Sequence, residues 1–325
     1  MIARGLDDVC EIGVGLVRPE CVLCTASGDV FVSDWRGGVT RIRPDGRQQL
    51  YAAAGGDGPR PVKTNGFAIL PDRSFLLAHL DDASGGVWRL TVDGHCTPYL
   101  LELDGRPLEP TNFVHVDPVG RTWITVSTRL IPRMRARRPD VADGYVVLVD
   151  GSGARIVADG LAFTNEAKVD PSGRWLYVNE TFGRRVSRFE IRANGDLGPI
   201  RTVAQFDHGV FPDGLDFDRD GGVWITSVFS NRLIRIDADG NRSTVLEDFD
   251  PEFLDTVDSM LASGALATTD VAPTPARLIR NLSSSAFGGP DRRTLYLGCL
   301  QGDRIYRLPS PVAGARPSHW NVTFD

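Results

Sequence analysis

Cysteine is scarce in this chain: 5 residues among 325, at Cys10, Cys21, Cys24, Cys96 and Cys299. An odd, scattered set in a long chain argues against a disulfide framework and points to a reducing compartment. Cys21 and Cys24 form a CxxC in "PECVLC", but no second pair follows at zinc-site spacing. On a strand the two point to opposite faces, so they read as small buried thiols. A basic excess is also missing. The formal net charge is −6, which gives no support to nucleic-acid binding through an overall basic surface. No run approaches the ~18 apolar residues of a membrane span. The opening stretch "MIARGLDDVCEIGVGL" carries acids where a signal peptide would be apolar. The expectation is a cytoplasmic protein with neither membrane nor nucleic acid as partner. There is no GxSxG elbow and no Ser with an evident His/Asp pair, which disfavours covalent catalysis.

What the chain has in abundance is one local pattern. "SGDVFVSD" (27–34), "PDRSFLLAH" (71–79), "PVGRTWITVS" (118–127), "PSGRWLYVNE" (171–180), "RDGGVWITSV" (219–228) and "PDRRTLYLGC" (290–299) are turns feeding β-branched or aromatic residues. A second strand commonly follows, as in "GGVTRIRPDG", "GGVWRLTVDG" and "NRLIRIDADG", often closing on Asp-Gly, a tight-turn signal. Short outer strands such as "CTPYLL", "ARIVAD" and "STVLED" come next. Each unit is a four-stranded antiparallel blade, and six units make one ring. The predicted fold is all-β: a single six-bladed β-propeller over residues 1–325. A strand around 8–17 is expected to close the last blade. At this length about 75% of the unfolded surface can be buried, so core size sets no limit. The segment 247–270 lies outside the pattern, and its Leu254, Val257, Leu261 spacing predicts a short amphipathic helix near 251–263.

Stepping back 11 residues from Phe31, Leu76, Trp123, Leu176, Trp224 and Leu295 reaches Glu20, Asn65, Asn112, Asn165, Asp213 and Ser284. All six carry a side-chain oxygen, at the start of the innermost strand. In a propeller those starts surround the axis and converge. Two carboxylates and up to three amides, without His or Cys, form a hard donor set suited to Ca²⁺, Mg²⁺ or Mn²⁺ rather than zinc. The plainer reading of any one of them is a turn or strand-start residue satisfying backbone donors. As a set they resist that reading, because converging carboxylates without a cation repel.

At these residues the chain resembles the family of senescence marker protein, gluconolactonases and luciferin-regenerating enzyme. The similarity is clearest between about residues 15 and 240. Glu20 in "RPECVLC", Asn165 in "TNEAKVDPSGRWLYV" and Asp213 in "FPDGLDFDRDGGVW" match the family's metal residues. Asn112 in "TNFVHVDPVGRTW" matches a pocket residue. The resemblance implies six blades, one divalent cation in the central channel (calcium first; Mg, Mn or Zn as alternatives) and lactone hydrolysis by activated water. Asp213, or Glu20, is the implied base, Asn112 a substrate contact and Asn65 a weaker one. Position 110 is Pro where some members place a lactone-binding Arg, so the metal site transfers better than sugar-lactone specificity.

Chain direction puts the loops after second strands over the pocket. On that ground Arg129, Glu180 and His79 are candidate substrate contacts. The loop "TRLIPRMRARRPDVADG" (128–144) is long and Arg-rich. It reads either as a lid attracting an anionic substrate or as a solvated, mobile loop. Glu166 should face away from the site and make structural hydrogen bonds. Two other functions fit the same ring. One is a metal-free lyase or condensing enzyme similar to strictosidine synthases; the other is a non-catalytic binding platform.

Overall fold

The computed structural model describes residues 4–269 and 272–324. Among them, six four-stranded antiparallel units surround a central channel. The innermost strands are Val22–Cys24, Thr64–Ile69, Thr111–Val116, Thr164–Val169, Pro212–Phe217 and Leu282–Gly288. Blade 2 carries the two-residue strand Gly55–Gly56 as a parallel fifth member on its outer edge. As expected, blade 6 is closed by the other end of the chain: Cys10–Ile12 pairs with Ile305–Pro309, Glu11 opposite Tyr306. Closing the ring across the chain ends removes the largest unpaired sheet edge. Among the described residues, no helix is long and apolar enough to cross a membrane.

The repeated turn-and-strand motif has a physical cause. In blades 3 and 5 an Asp at the turn accepts the indole N–H of a Trp six residues on. Trp123 Nε1 donates to Asp117 Oδ2 at 3.0 Å and Trp224 Nε1 to Asp218 Oδ2 at 2.8 Å. Both indoles are fully buried between blades, where truncation to Ala costs about 3–5 kcal/mol. Asp218 also accepts the Asp220 and Gly222 backbone N–H groups and the Arg235 guanidinium. It is therefore a turn organiser. Cys21 and Cys24 are both buried.

The insertion forms the helix Pro251–Ser263. Asp250 caps it by accepting the Phe253 N–H, Pro251 opens it, and Gly264 closes it at φ 76°. Its buried face is Leu254, Val257 and Leu261. That face packs with Phe163, Phe182, Phe211, Phe229 and Ala136 on the same side of the ring as the loops after the second strands. At the opposite mouth, residues 315–324 cross the ring. Phe324 stacks on Phe75 at 5.5 Å and lies 4.6 Å from Phe31.

Candidate active site

Inner strands enter the channel through irregular pairing. Their register against the second strand slips between Thr64 and Phe67, Thr111 and Phe113, Thr164 and Ala167, Pro212 and Leu215, and Leu282 and Ser285. Each slip contains the oxygen-bearing residue picked out by the 11-residue spacing: Asn65, Asn112, Asn165, Asp213 or Ser284. A bulge of this kind re-aims a side chain out of the pleat. In blade 5 the slip needs Gly214, where a Cβ would lie 2.4 Å from the Ser283 carbonyl oxygen. That close approach of neighbouring inner strands explains the Gly of Pro-Asp-Gly. In blade 1 the site residue precedes the strand, and Arg18 turns the chain at φ 51°.

The strand starts open on a cavity of about 280 Å³ that Glu20, Asn112, Asn165 and Asp213 line together. Asn65 lies behind this surface. Its Nδ2 donates to Glu20 Oε1 at 2.7 Å and to the Asn112 carbonyl at 3.0 Å, so it positions Glu20 and does not face the cavity. The Arg18 Nη1 donates to Glu20 Oε2 at 2.5 Å and to Asn65 Oδ1 at 2.6 Å. The Asn112 amide donates to Ser127 Oγ at 3.1 Å. Across the cavity, Asn165 Nδ2 donates to Thr181 Oγ1 at 3.0 Å and to Asp213 Oδ1. Asn165 Oδ1 is buried and finds no hydrogen-bond partner among the described residues. Such an orphan costs about 1–3 kcal/mol. Burial, then the charges of Glu20 and Glu166, push the Asp213 carboxyl well above the usual carboxylate range, against the pull of Arg18 and Arg133. Two carboxylates and an orphaned amide oxygen at one cavity fit a hard divalent cation, which would ligate the orphan and offset the repulsion.

The other candidate contacts do not reach the cavity lining. Arg129 is held in a bidentate pair with Asp159 at 2.8 and 2.9 Å and lies over the Tyr145 ring. Glu180 is fully buried, ion-paired with Arg185 and accepting the Ala162 N–H. His79 accepts the Lys63 N–H through Nδ1 at 3.0 Å, and burial lowers its pKa. Ser284 Oγ accepts the Val22 N–H. Chain direction located the correct loops, but at these positions nearer protein partners take the polar atoms. Glu166 faces away as expected: Oε2 accepts the Leu215 N–H at 3.0 Å and approaches Lys168 Nζ at 3.5 Å. Burial raises its carboxyl to about 7.

The cavity residues that sequence reasoning passed over include Arg18, Phe163, Asn281, Leu300 and Gln301, while Arg133, Arg137, Phe182 and Phe229 were singled out only as parts of loops expected to roof the pocket. The loop at 128–144 is not a solvated strand of chain. It makes a short helical turn at Arg133–Ala136 whose Ala136 is fully buried among the phenylalanines. Arg18 stands two residues before Glu20 in "VRPE", with no motif to mark it.

Comparison with known proteins points to one family. The model of the SMP-30/Gluconolactonase/LRE-like region matches residues 18–247. A pentonolactonase of Haloferax volcanii is 29% identical over 268 residues, covering 79% of this chain and 75% of the relative. Human serum paraoxonase/arylesterase 1 is 29% identical over 86 residues, which span 26% of this chain and only 23% of the relative. Among solved structures, the calcium-binding protein regucalcin of Agrobacterium tumefaciens superposes with a TM-score of 0.68 at 19% identity, covering 99% of this chain and 98% of that one. With the family model matching more than half of the chain, blades 1 to 5, the chain belongs to the SMP-30/gluconolactonase/LRE-like family.

Proposed function

We propose that this protein is a hydrolase that opens a small lactone with the help of one divalent cation, calcium before magnesium, manganese or zinc. The observation that carries this reading is the meeting of Glu20, Asp213 and the orphaned Asn165 Oδ1 at one cavity, in a chain of this family. The pentonolactonase relative supports the reaction class and the calcium-binding fold neighbour supports the choice of ion.

Glu20, Asn165 and Asp213 would hold the cation. Bound there, it supplies Lewis-acid polarisation of the ester carbonyl and a lower pKa for water. Asp213 is the assigned base. Both Glu20 oxygens already accept hydrogen bonds, from Arg18 and Asn65, whereas Asp213 accepts only the Asn165 amide among the described residues. Asp213 takes the proton of the attacking water as its oxygen bonds to the carbonyl carbon. The ring C–O bond then breaks, and the leaving alkoxide recovers the proton, giving a hydroxy acid. Asn112 orients the substrate from its fixed position against Ser127. Phe163, Phe182 and Phe229 wall off one side of the cavity from bulk water.

Elemental analysis of purified protein followed by a lactone panel with and without chelator tests this. The expected result is about one divalent ion per chain and acid release that chelation abolishes. Fully stable, metal-free protein would remove the metal assignment. Metal-loaded protein inert on every lactone would remove the reaction.

A further inference from the structure

The cavity is composed in a way that lactone chemistry alone does not require. Three guanidinium groups, Arg18, Arg133 and Arg137, and the apolar Phe163, Phe182, Phe229 and Leu300 line it together. Arg18 is accounted for by Glu20 and Asn65 and lies 4.4 Å over the Trp35 ring. Arg133 is different. Its backbone N–H donates to Asp82 and its guanidinium lies 5.5 Å from the Phe163 ring centroid. Its Nη1, however, is buried with no hydrogen-bond partner among the described residues. Burial, together with the neighbouring Arg18 and Arg137, lowers its pKa to about 10, still charged at neutral pH. A buried, incompletely bonded guanidinium is costly unless something anionic reaches it. The packed turn at Ala136 holds Arg133 there. A neutral polyol lactone would offer that donor only uncharged hydroxyl acceptors, weaker than an oxyanion, and would face the phenylalanines with hydroxyls.

We propose that the substrate is an anionic lactone, one that carries a carboxylate or phosphate besides the ring ester, and that Arg133 binds this second group as the specificity-determining residue. This rests on the lactonase reading of the same site. The guanidinium offers a planar pair of donors matched to either oxyanion. Phe163 and its apolar neighbours take the carbon skeleton. Negative charge on the substrate is also complementary to the Arg-rich loop around the cavity mouth, which raises the encounter rate at low salt.

The test compares matched probes on the metal-loaded protein and its Arg133→Gln variant. The hydrolysis arms are γ-carboxy-γ-butyrolactone against its neutral carboxamide, and phosphorylated against unphosphorylated gluconolactone. In the wild type at least one anionic probe is expected to exceed its neutral match in kcat/KM by roughly ten- to a hundred-fold, the range of one charge-assisted hydrogen bond. Arg133→Gln should bring that ratio close to unity, mainly through the KM of the anionic probe. Which arm responds identifies carboxylate or phosphate. Calorimetric titration with the ring-opened products, 2-hydroxyglutarate against its 1-monoamide, gives a readout independent of turnover. Discrimination in binding, lost in the variant, without hydrolysis of any probe would leave the anion site standing and overturn the lactonase reading. Hydrolysis with equal kcat/KM for anionic and neutral members of both pairs would overturn the anion site and leave the reaction. So would a preference unaltered by Arg133→Gln.

Discussion

At one mouth of the channel the inner strands begin in bulges, and Glu20, Asn112, Asn165 and Asp213 meet at a cavity of about 280 Å³. At the other mouth the same strands end in regular pairing. There Phe67, Ile69, Val114, Val116 and Phe287, together with His115, Lys168 and Asp216, surround a space of about 50 Å³, which Ala315, Pro317 and His319 help to enclose. The repeat is the same; what differs is that acids and amides of the strand starts meet at the first end, whereas the last residues of the propeller cover the second. Among the described residues each end leaves buried polar atoms without partners, Asn165 Oδ1 and Arg133 Nη1 at the first and His115 Nε2 and His319 Nε2 at the second. The second is closed by residues 315–324, with Ser318 Oγ donating to the Val116 carbonyl and the Ala315 N–H to the Phe217 carbonyl. A propeller can thus concentrate chemistry at the strand starts because its apolar contacts, and most of its stability, lie elsewhere.

That contrast can be broken from either side. Asp213→Ala removes the proposed ligand and the proposed base together. Activity is expected to fall by roughly a thousand-fold or more, with loss of the bound ion by elemental analysis and an unchanged unfolding midpoint in chelator. Phe324→Ala acts at the opposite mouth. The ring is only half-buried, so about 2 kcal/mol of stability should be lost rather than the ~3–5 of a fully buried Phe. Urea unfolding reads that loss, and kcat should stay unchanged. Asn65→Ala sharpens the comparison within the site. Glu20 keeps Arg18 but loses its other fixed partner, and metal affinity should fall roughly ten-fold, measured by competition with a chelating dye.

A separate expected effect lies in pH dependence at the closed mouth. Burial, with the nearby charge of Lys168, lowers His115 to about 3 and His319 to about 4, while Asp117 opposes the shift at His115. In the unfolded chain both titrate near 6.5. Between those values the unfolded state binds more protons, so stability is full above about pH 6.5 and falls as pH drops toward 4. His115→Asn should flatten that decline in urea midpoints taken at neutral and acidic pH. An unchanged slope would place the acid sensitivity elsewhere.

Most of the fold was legible because each blade repeats one local instruction: a turn, an apolar strand, another turn. The closing strand at Cys10–Ile12 and the apolar face of the helix at 251–263 were legible for the same reason. The oxygen-bearing ring was legible because equal spacing in a repeat becomes equal position in space. His79, Arg129 and Glu180 were misplaced as substrate contacts because proximity to a rim says nothing about which partner a side chain meets first. Lys63, Asp159 and Arg185 respectively meet them before any ligand does.

Local spacing and turn chemistry by themselves determined six blades, the strand that closes them, and Glu20, Asn112, Asn165 and Asp213 at the channel start. Tertiary structure alone decided that Asn65 serves Glu20, that Arg18 joins the same network, and that the loop at 128–144 packs Arg133 against Phe163. The reason is physical. Periodicity is set by neighbours along the chain, whereas the partner of a buried guanidinium or amide is set by whichever group is brought within about 3 Å of it from another blade.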